Sequence, residues 1–287
     1  MALMSRTEVE SITRRGVFHT RSNKLKAMLT ALEHHRRLRT TLSFISLRQT
    51  ARNWVQNHPK EYSKRHGDSF FNRLMTQLNW EEKFLQQVNR AKTLVQQLLT
   101  QRNQYIVNDA DTSAANQNAL QGSMQDQLRL AFQRAATPTG RLRPGNLAGR
   151  TTNNYWETLG GQVDANPTMG IRCAECSSLV VRELRQDAQM QLPIALIEQG
   201  DGHINGHFWV VVGYIVNDSP TYGVSDFGFD TFTIDLWGKS TFGVKLVTGP
   251  AGKIPMKMRK DKVTNQIKIL TRWPATGTLG PPPPGSA

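Results

Sequence analysis

Cysteine is almost absent from this chain: Cys173 and Cys176 are the only two in 287 residues. Two cysteines cannot build a disulfide framework, which excludes a stapled secreted mini-domain and points to a chain that works in a reducing compartment. Long apolar runs are missing as well. No window approaches the roughly 18 apolar residues of a membrane-spanning helix. The stretch Met1 to Val17 has no apolar core of the secretory-signal kind, so export would need a specialised route. Acidic residues are scarce: 22 Asp and Glu stand against 36 Lys and Arg, a formal charge of +14. That balance suits an acidic partner (nucleic acid, anionic membrane or acidic protein) without choosing among them, and a merely solvated basic surface is the alternative. Nucleic-acid motifs and interleaved basic and aromatic residues are absent, so no specific nucleic acid is expected. No internal repeat is visible.

What is present divides the chain. Residues 1–107 read as a helical region. Leu25, Met28, Leu29 and Leu32 fall at i, i+3, i+4 and i+7, one face of a helix. Leu38, Leu42, Ile45, Trp54 and Val55 continue an apolar stripe on a second helical stretch, which His58-Pro59 ends. From about Ser69 a third helical pattern runs through Phe70, Leu74, Leu78, Phe84, Val88, Val95 and Leu99. It is long for one ordinary helix, so a break or a hairpin arm is expected. The basic clusters His34–Arg37 and Lys64–His66 are consistent with contact to an anionic membrane or with a solvated helix face. Residues 108–150 are rich in Asn, Gln, Ala, Ser, Thr and Gly and read as a linker, with room for one short helix over 120–135. Residues 151–272 change character: one helix, then short apolar runs at 193–197, 208–216, 231–237 and 242–247, with a weaker strand signal at 266–270. Turn residues separate them. A helix followed by an antiparallel sheet is an α+β arrangement. Residues 273–287 form a proline-rich tail of polyproline II type.

Chemistry concentrates in Gly170-Ile-Arg-Cys-Ala-Glu-Cys-Ser-Ser and two later segments, His207-Phe-Trp-Val-Val-Val-Gly213 and Phe232-Thr-Ile-Asp-Leu-Trp-Gly238. A cysteine opening a helix meets outward backbone N–H groups and a positive dipole end, which favours the thiolate. A histidine opening one strand and an aspartate near the end of the next can reach each other across an antiparallel pair. Cys173 as nucleophile, His207 as base and Asp235 as its orienter form a set for nucleophilic catalysis. Cys176 competes with Cys173, and Asp226 and Asp230 compete with Asp235. Three other readings stay open. Cys173-x2-Cys176 with His203-x3-His207 has the count and local spacing of a structural zinc site in a basic binding module. Cys-x-x-Cys is also a redox spacing. Finally, the cysteines could be inert core residues and His207 an ordinary strand histidine.

The segment Arg172-Cys-Ala-Glu-Cys-Ser resembles the Asn-Cys-Gly-Glu-x-Ala pattern of papain-like fold toxin and effector domains of bacteria. His207-Phe-Trp-Val-Val-Val-Gly213 is similar to their His-Ala-Phe-Val-Val block, and Ile234-Asp-Leu-Trp-Gly238 to their Asp-Pro-Trp block. The resemblance spans about Ile171 to Gly238. Arg172 stands where the family has asparagine, and Leu236 where it has proline. The family implies a papain-like catalytic domain with Cys173, His207 and Asp235 as the triad and no cofactor. It also implies an upstream Gln or Asn as oxyanion donor, for which Gln162 and Asn154 are candidates. The implied activity is that of a cysteine hydrolase: a thiol protease or glutamine deamidase acting on a protein substrate in a target cell. Such an effector is held in the bacterial cytoplasm and then delivered into the target-cell cytoplasm, with the helical front region serving delivery, membrane targeting or partner binding. An inactive papain-like scaffold is the rival within that fold.

Overall fold

Leu25, Met28, Leu29 and Leu32 are all buried on one side of α1 (Arg21–His34), as their spacing requires. The computed structural model describes residues 21–34, 42–57, 67–106, 153–199, 207–215, 227, 230–237, 247–248, 267–276 and 279–281. The first twenty residues, most of both basic clusters and the 108–150 linker lie outside them. Two compact units divide the chain: 1–86 with 279–287, and 87–278.

In the first unit α1, α2 (Leu42–Asn57) and the start of α3 (Gly67–Arg102) share one core: Leu25, Met28, Leu32, Leu47, Ala51, Val55, Leu74 and Leu78. Leu47, Ala51 and Val55, four residues apart, set the buried face of α2. Ile45 therefore does not join the stripe expected for it. It sits two positions before Leu47, about 200° round the helix, and is 40% exposed. Trp80 stacks on Phe84 with ring centroids 5.1 Å apart, and its indole Nε1 donates to the Gly280 carbonyl at 3.1 Å. Leu279 beside it is buried. Residues 279–281, expected to belong to a tail, thus group with the helical unit. Trp80→Phe removes that hydrogen bond together with part of a buried, stacked ring. Its expected cost is about 1–3 kcal/mol, read first as faster proteolytic trimming of the C-terminal end.

The expected break in the third helix is not there: α3 runs 36 residues unbroken, a span of about 54 Å. Two physical reasons account for it. No proline or glycine occurs between Ser69 and Arg102, and the two ends of the helix serve different cores. The unit boundary falls inside it, between Gln86 and Gln87, not at residue 107. Beyond that point Gln87 clamps the chain after α5 through both amide atoms: Nε2 donates to the Gln189 carbonyl at 2.8 Å and Oε1 accepts the Gln191 N–H at 2.7 Å.

The second unit is α+β. Helices α4 (Asn153–Ala165) and α5 (Cys173–Gln186) precede four antiparallel strands: β1 (Ile194–Gln199), β2 (His207–Gly213), β3 (Thr231–Ile234) and β5 (Ile267–Trp273). The two-residue β4 (Val247–Thr248) completes the order β4-β3-β2-β1-β5. β5 is longer than its weak sequence signal, because Lys268 and Arg272 interrupt the apolar residues on an edge strand. Of the run expected at 242–247, only Val247 lies within the described residues. α5 lies against β2 and β1, and α4 lies against α5 and β5. Trp156 of α4 meets Phe208 of β2 with ring centroids 5.6 Å apart. The other face of the sheet buries Ala195, Ile197, Trp209, Val211 and Phe227. With both faces covered, every residue of β2 is buried, which is why its sequence is a continuous apolar run.

The two helices touch closely at Gly160. A Cβ built there would lie 2.6 Å from the Ser178 carbonyl oxygen and 3.0 Å from the Arg182 Cβ. A backbone oxygen cannot swing aside, so Gly160→Ala must push α4 off α5. An expected loss of about 2–3 kcal/mol would appear as a lowered denaturation midpoint, whereas Gly161→Ala next to it, whose nearest neighbour is an Arg182 guanidinium nitrogen at 3.4 Å, would cost much less.

Candidate active site

Cys173 is the first residue of α5. Three contacts fix where that helix starts. The Ile171 N–H donates to the Tyr105 carbonyl at 2.8 Å, joining the segment after α3 in a parallel bridge between Ile106 and Ile171. Glu175, 2% exposed, turns back so that its carboxylate accepts the Arg172 N–H at 3.0 Å. The Cys176 N–H donates to the Arg172 carbonyl at 2.8 Å, closing the first turn. The first N–H groups of any α-helix point away from its body toward its N-terminal end, the positive end of its dipole.

His207 opens β2 at the end of the sheet where α5 begins. Asp235 directly follows β3. Ile234 pairs with Val210, so Asp235 lies beside Trp209, diagonally across from His207 on the same face. The outcome is a hydrogen bond of 2.8 Å between His207 Nε2 and Asp235 Oδ2, with both side chains 1% exposed. Burial by itself would lower the imidazole pKa. The carboxylate of Asp235, through charge and hydrogen bond, more than offsets it, and Cys173 adds to the rise in the same two ways. The ring is pushed up from 6.5 to about 10, so it is an imidazolium at neutral pH. Its other nitrogen, Nδ1, is buried and makes no closed hydrogen bond among the described residues. Cys173 is only partly buried, in contrast to the enclosed Cys176.

The competitors separate clearly. Cys176 is 1% exposed. Burial pushes its thiol well above the usual range, and the charges of Glu175, Cys173 and Asp235 push it further. Such a thiol is a poor nucleophile at neutral pH. Asp230 is placed at the wrong end of the strand: its carbonyl accepts the Tyr214 N–H at 2.9 Å, beyond Gly213. That position is roughly 20 Å along β2 from His207. Asp226 and His203 lie outside the described residues, as does the Asn154 side chain. Gln162 is exposed on α4 and is not brought to the triad by any described contact. Of the four residues considered for zinc, Cys176 is enclosed in the core and His207 has its Nε2 committed to Asp235. No group of three or more His, Cys, Asp or Glu among the described residues is arranged to hold a metal.

Two indole rings escaped the sequence reading. Trp237 lies 5.2 Å and Trp209 5.7 Å from the His207 ring, centroid to centroid. Trp209 is fully buried and Trp237 is half-buried. The signal was present in the spacing: each tryptophan stands two residues after a triad member, on the same face of an extended chain. Both rings pack against the imidazole. No known family, curated protein or solved structure matches the chain, and no described helix is long and apolar enough to cross a membrane.

Proposed function

We propose that the second unit is a papain-like, thiol-dependent amide hydrolase that acts on a target protein, as a protease or a glutamine deamidase. One observation carries this reading: His207 and Asp235, from neighbouring strands, form an enclosed 2.8 Å hydrogen bond, and the influence of Cys173 at the start of α5 is felt at the same imidazole. The order of events follows from the groups present. The Cys173 thiolate attacks the amide carbonyl carbon, and the oxygen takes the charge beside the outward N–H groups of the first turn of α5. The imidazolium gives its proton to the leaving nitrogen as the C–N bond breaks, leaving a thioester. His207, now neutral, takes a proton from water; the hydroxide attacks the thioester and the C–S bond breaks. Asp235 holds the ring through Nε2, so the opposite edge does the proton transfers. A peptide amide gives proteolysis, and a glutamine side chain releases ammonia and becomes glutamate.

The partial exposure of Cys173 against the enclosure of Cys176 supports the choice of nucleophile. Likeness of the three short sequence blocks to bacterial toxin and effector domains supports a delivered protein that acts in another cell. The basic front region supports an anionic membrane as its address there.

Iodoacetamide at mildly acidic pH is expected to label Cys173 at least about tenfold faster than Cys176, and His207→Ala to remove the difference. Equal, slow labelling of both thiols would sink the hydrolase. The substrate is read by intact mass spectrometry of proteins from target cells making wild type or Cys173→Ser. A gain of about one dalton marks deamidation and a new terminus marks proteolysis. Identical effects of the two proteins on those cells would make this fold a scaffold instead.

A further inference from the structure

We propose that Cys176 is the resolving thiol of a reversible oxidative lock, in which a peroxide joins the sulfurs of Cys173 and Cys176 across the first turn of α5 and takes the nucleophile out of reach of His207. The lock regulates the site described above and gains its meaning from that reading, but the sulfur chemistry is measured without any substrate.

The hydrolase has no use for a second cysteine. Yet the chain has only two, and they stand at the first and fourth positions of one helix. Residues so spaced on an α-helix have Cα atoms about 5 Å apart, within the roughly 4.4–6.8 Å that a disulfide spans. Cys173 is the residue that must move to close the bond. Its place at the helix end favours this, since a first-turn residue shifts with less disturbance of the helical ladder than an interior one. Neither is in a disulfide; one is partly exposed and the other enclosed. Cys173 and Asp235 are among the charges felt at the Cys176 sulfur, which places the two thiols and the triad in one neighbourhood.

The chemistry balances with hydrogen peroxide as oxidant. The Cys173 thiolate attacks one peroxide oxygen, the O–O bond breaks, and sulfenic acid and hydroxide form. The hydroxide released beside it takes the proton of the Cys176 thiol, forming water, and the resulting thiolate attacks the Cys173 sulfur; hydroxide leaves and a disulfide remains. Two electrons have passed from the sulfurs to the peroxide. Enclosure of Cys176 suits this role: only Cys173 reaches it, and the partner is at hand before a second peroxide can drive Cys173 to the irreversible sulfinic acid. Thiol reductants reverse the bond by exchange at the partly exposed sulfur.

Trypsin cuts after Arg172 and Arg182, so both cysteines leave in one peptide, Cys173 to Arg182. Full-length reduced protein is exposed to a slight excess of hydrogen peroxide and digested without reduction. The expected peptide is lighter by about 2 Da and resists alkylation until dithiothreitol is added. Cys176→Ala, and separately Cys176→Ser, should instead give adducts of about +16 and +32 Da on Cys173, trapped by dimedone at the first stage. A wild-type peptide carrying those oxygen adducts, or a disulfide linking two chains, overturns the proposal; since this is read on wild type, a poorly folding variant does not rescue it. If the lock forms but Cys173 and Cys176 alkylate equally slowly when reduced, the hydrolase reading fails and the disulfide stands.

Discussion

Asp235→Ala is expected to cost the second unit about 3–5 kcal/mol, the usual penalty for removing one partner of an enclosed ion pair, and to end the preferential alkylation of Cys173. His207 and Asp235 are both almost fully enclosed and 2.8 Å apart, so the variant strands a ring that burial opposes charging. The ring then titrates at or below its ordinary range, and Cys173 loses the cation beside it. The pH dependence has a definite sign. A histidine whose folded pKa lies near 10 against 6.5 unfolded binds its proton more tightly when folded. That stabilisation is complete below pH 6.5 and is lost as pH rises through about 10. Wild-type denaturation midpoints, followed by near-ultraviolet circular dichroism, should therefore fall between neutral pH and about pH 10, and those of Asp235→Ala should hardly move over that window. A wild-type curve that is flat there would contradict a charged pair.

Gly213→Ala should do comparable harm with no charge involved. Gly213 ends β2 at φ +122°, in a region essentially closed to side chains. A Cβ there would stand 2.1 Å from the Asp230 carbonyl oxygen and 2.8 Å from the Thr231 Cα. Its N–H is also committed to the Pro193 carbonyl at 2.8 Å. Strain of about 1–3 kcal/mol adds to an overlap with fixed backbone, so a total above about 3 kcal/mol is expected. Because Gly213 pairs with Thr231, the displacement enters the β2–β3 register that sets Asp235 beside Trp209. Labelling of Cys173 should then slow even in molecules that remain folded. A variant with wild-type stability and labelling would show that the register is held elsewhere.

Some of this was legible in one dimension because it is local. The period of Leu25, Met28, Leu29 and Leu32 fixes a buried helix face whatever lies opposite. The apolar run after His207 marks a strand enclosed on both sides. The position of Cys173 at a helix start is visible in the residues that follow it. Other features failed for equally physical reasons. The length of α3 was hidden because a pattern of apolar residues does not say that two cores will share one helix. Ile45 was misplaced because a stripe defined by few residues tolerates a wrong phase. β5 was faint because an edge strand needs apolar residues on only part of its surface.

The amino-acid order by itself determined the α+β character of the second unit, the helical front region and a short list of reactive groups, since each follows from spacing along a chain of fixed geometry. It favoured Cys173 over Cys176, and it favoured Asp235, which it placed on a strand, over Asp226 and Asp230, which it placed in the glycine-rich turn before that strand. The physical grounds for that order came only from the folded chain: packing enclosed Cys176, and strand register carried Asp230 to the far end of β2 while setting Asp235 against the imidazole. Accessibility and register depend on residues distant in sequence, and so does the pairing of His207 with Asp235.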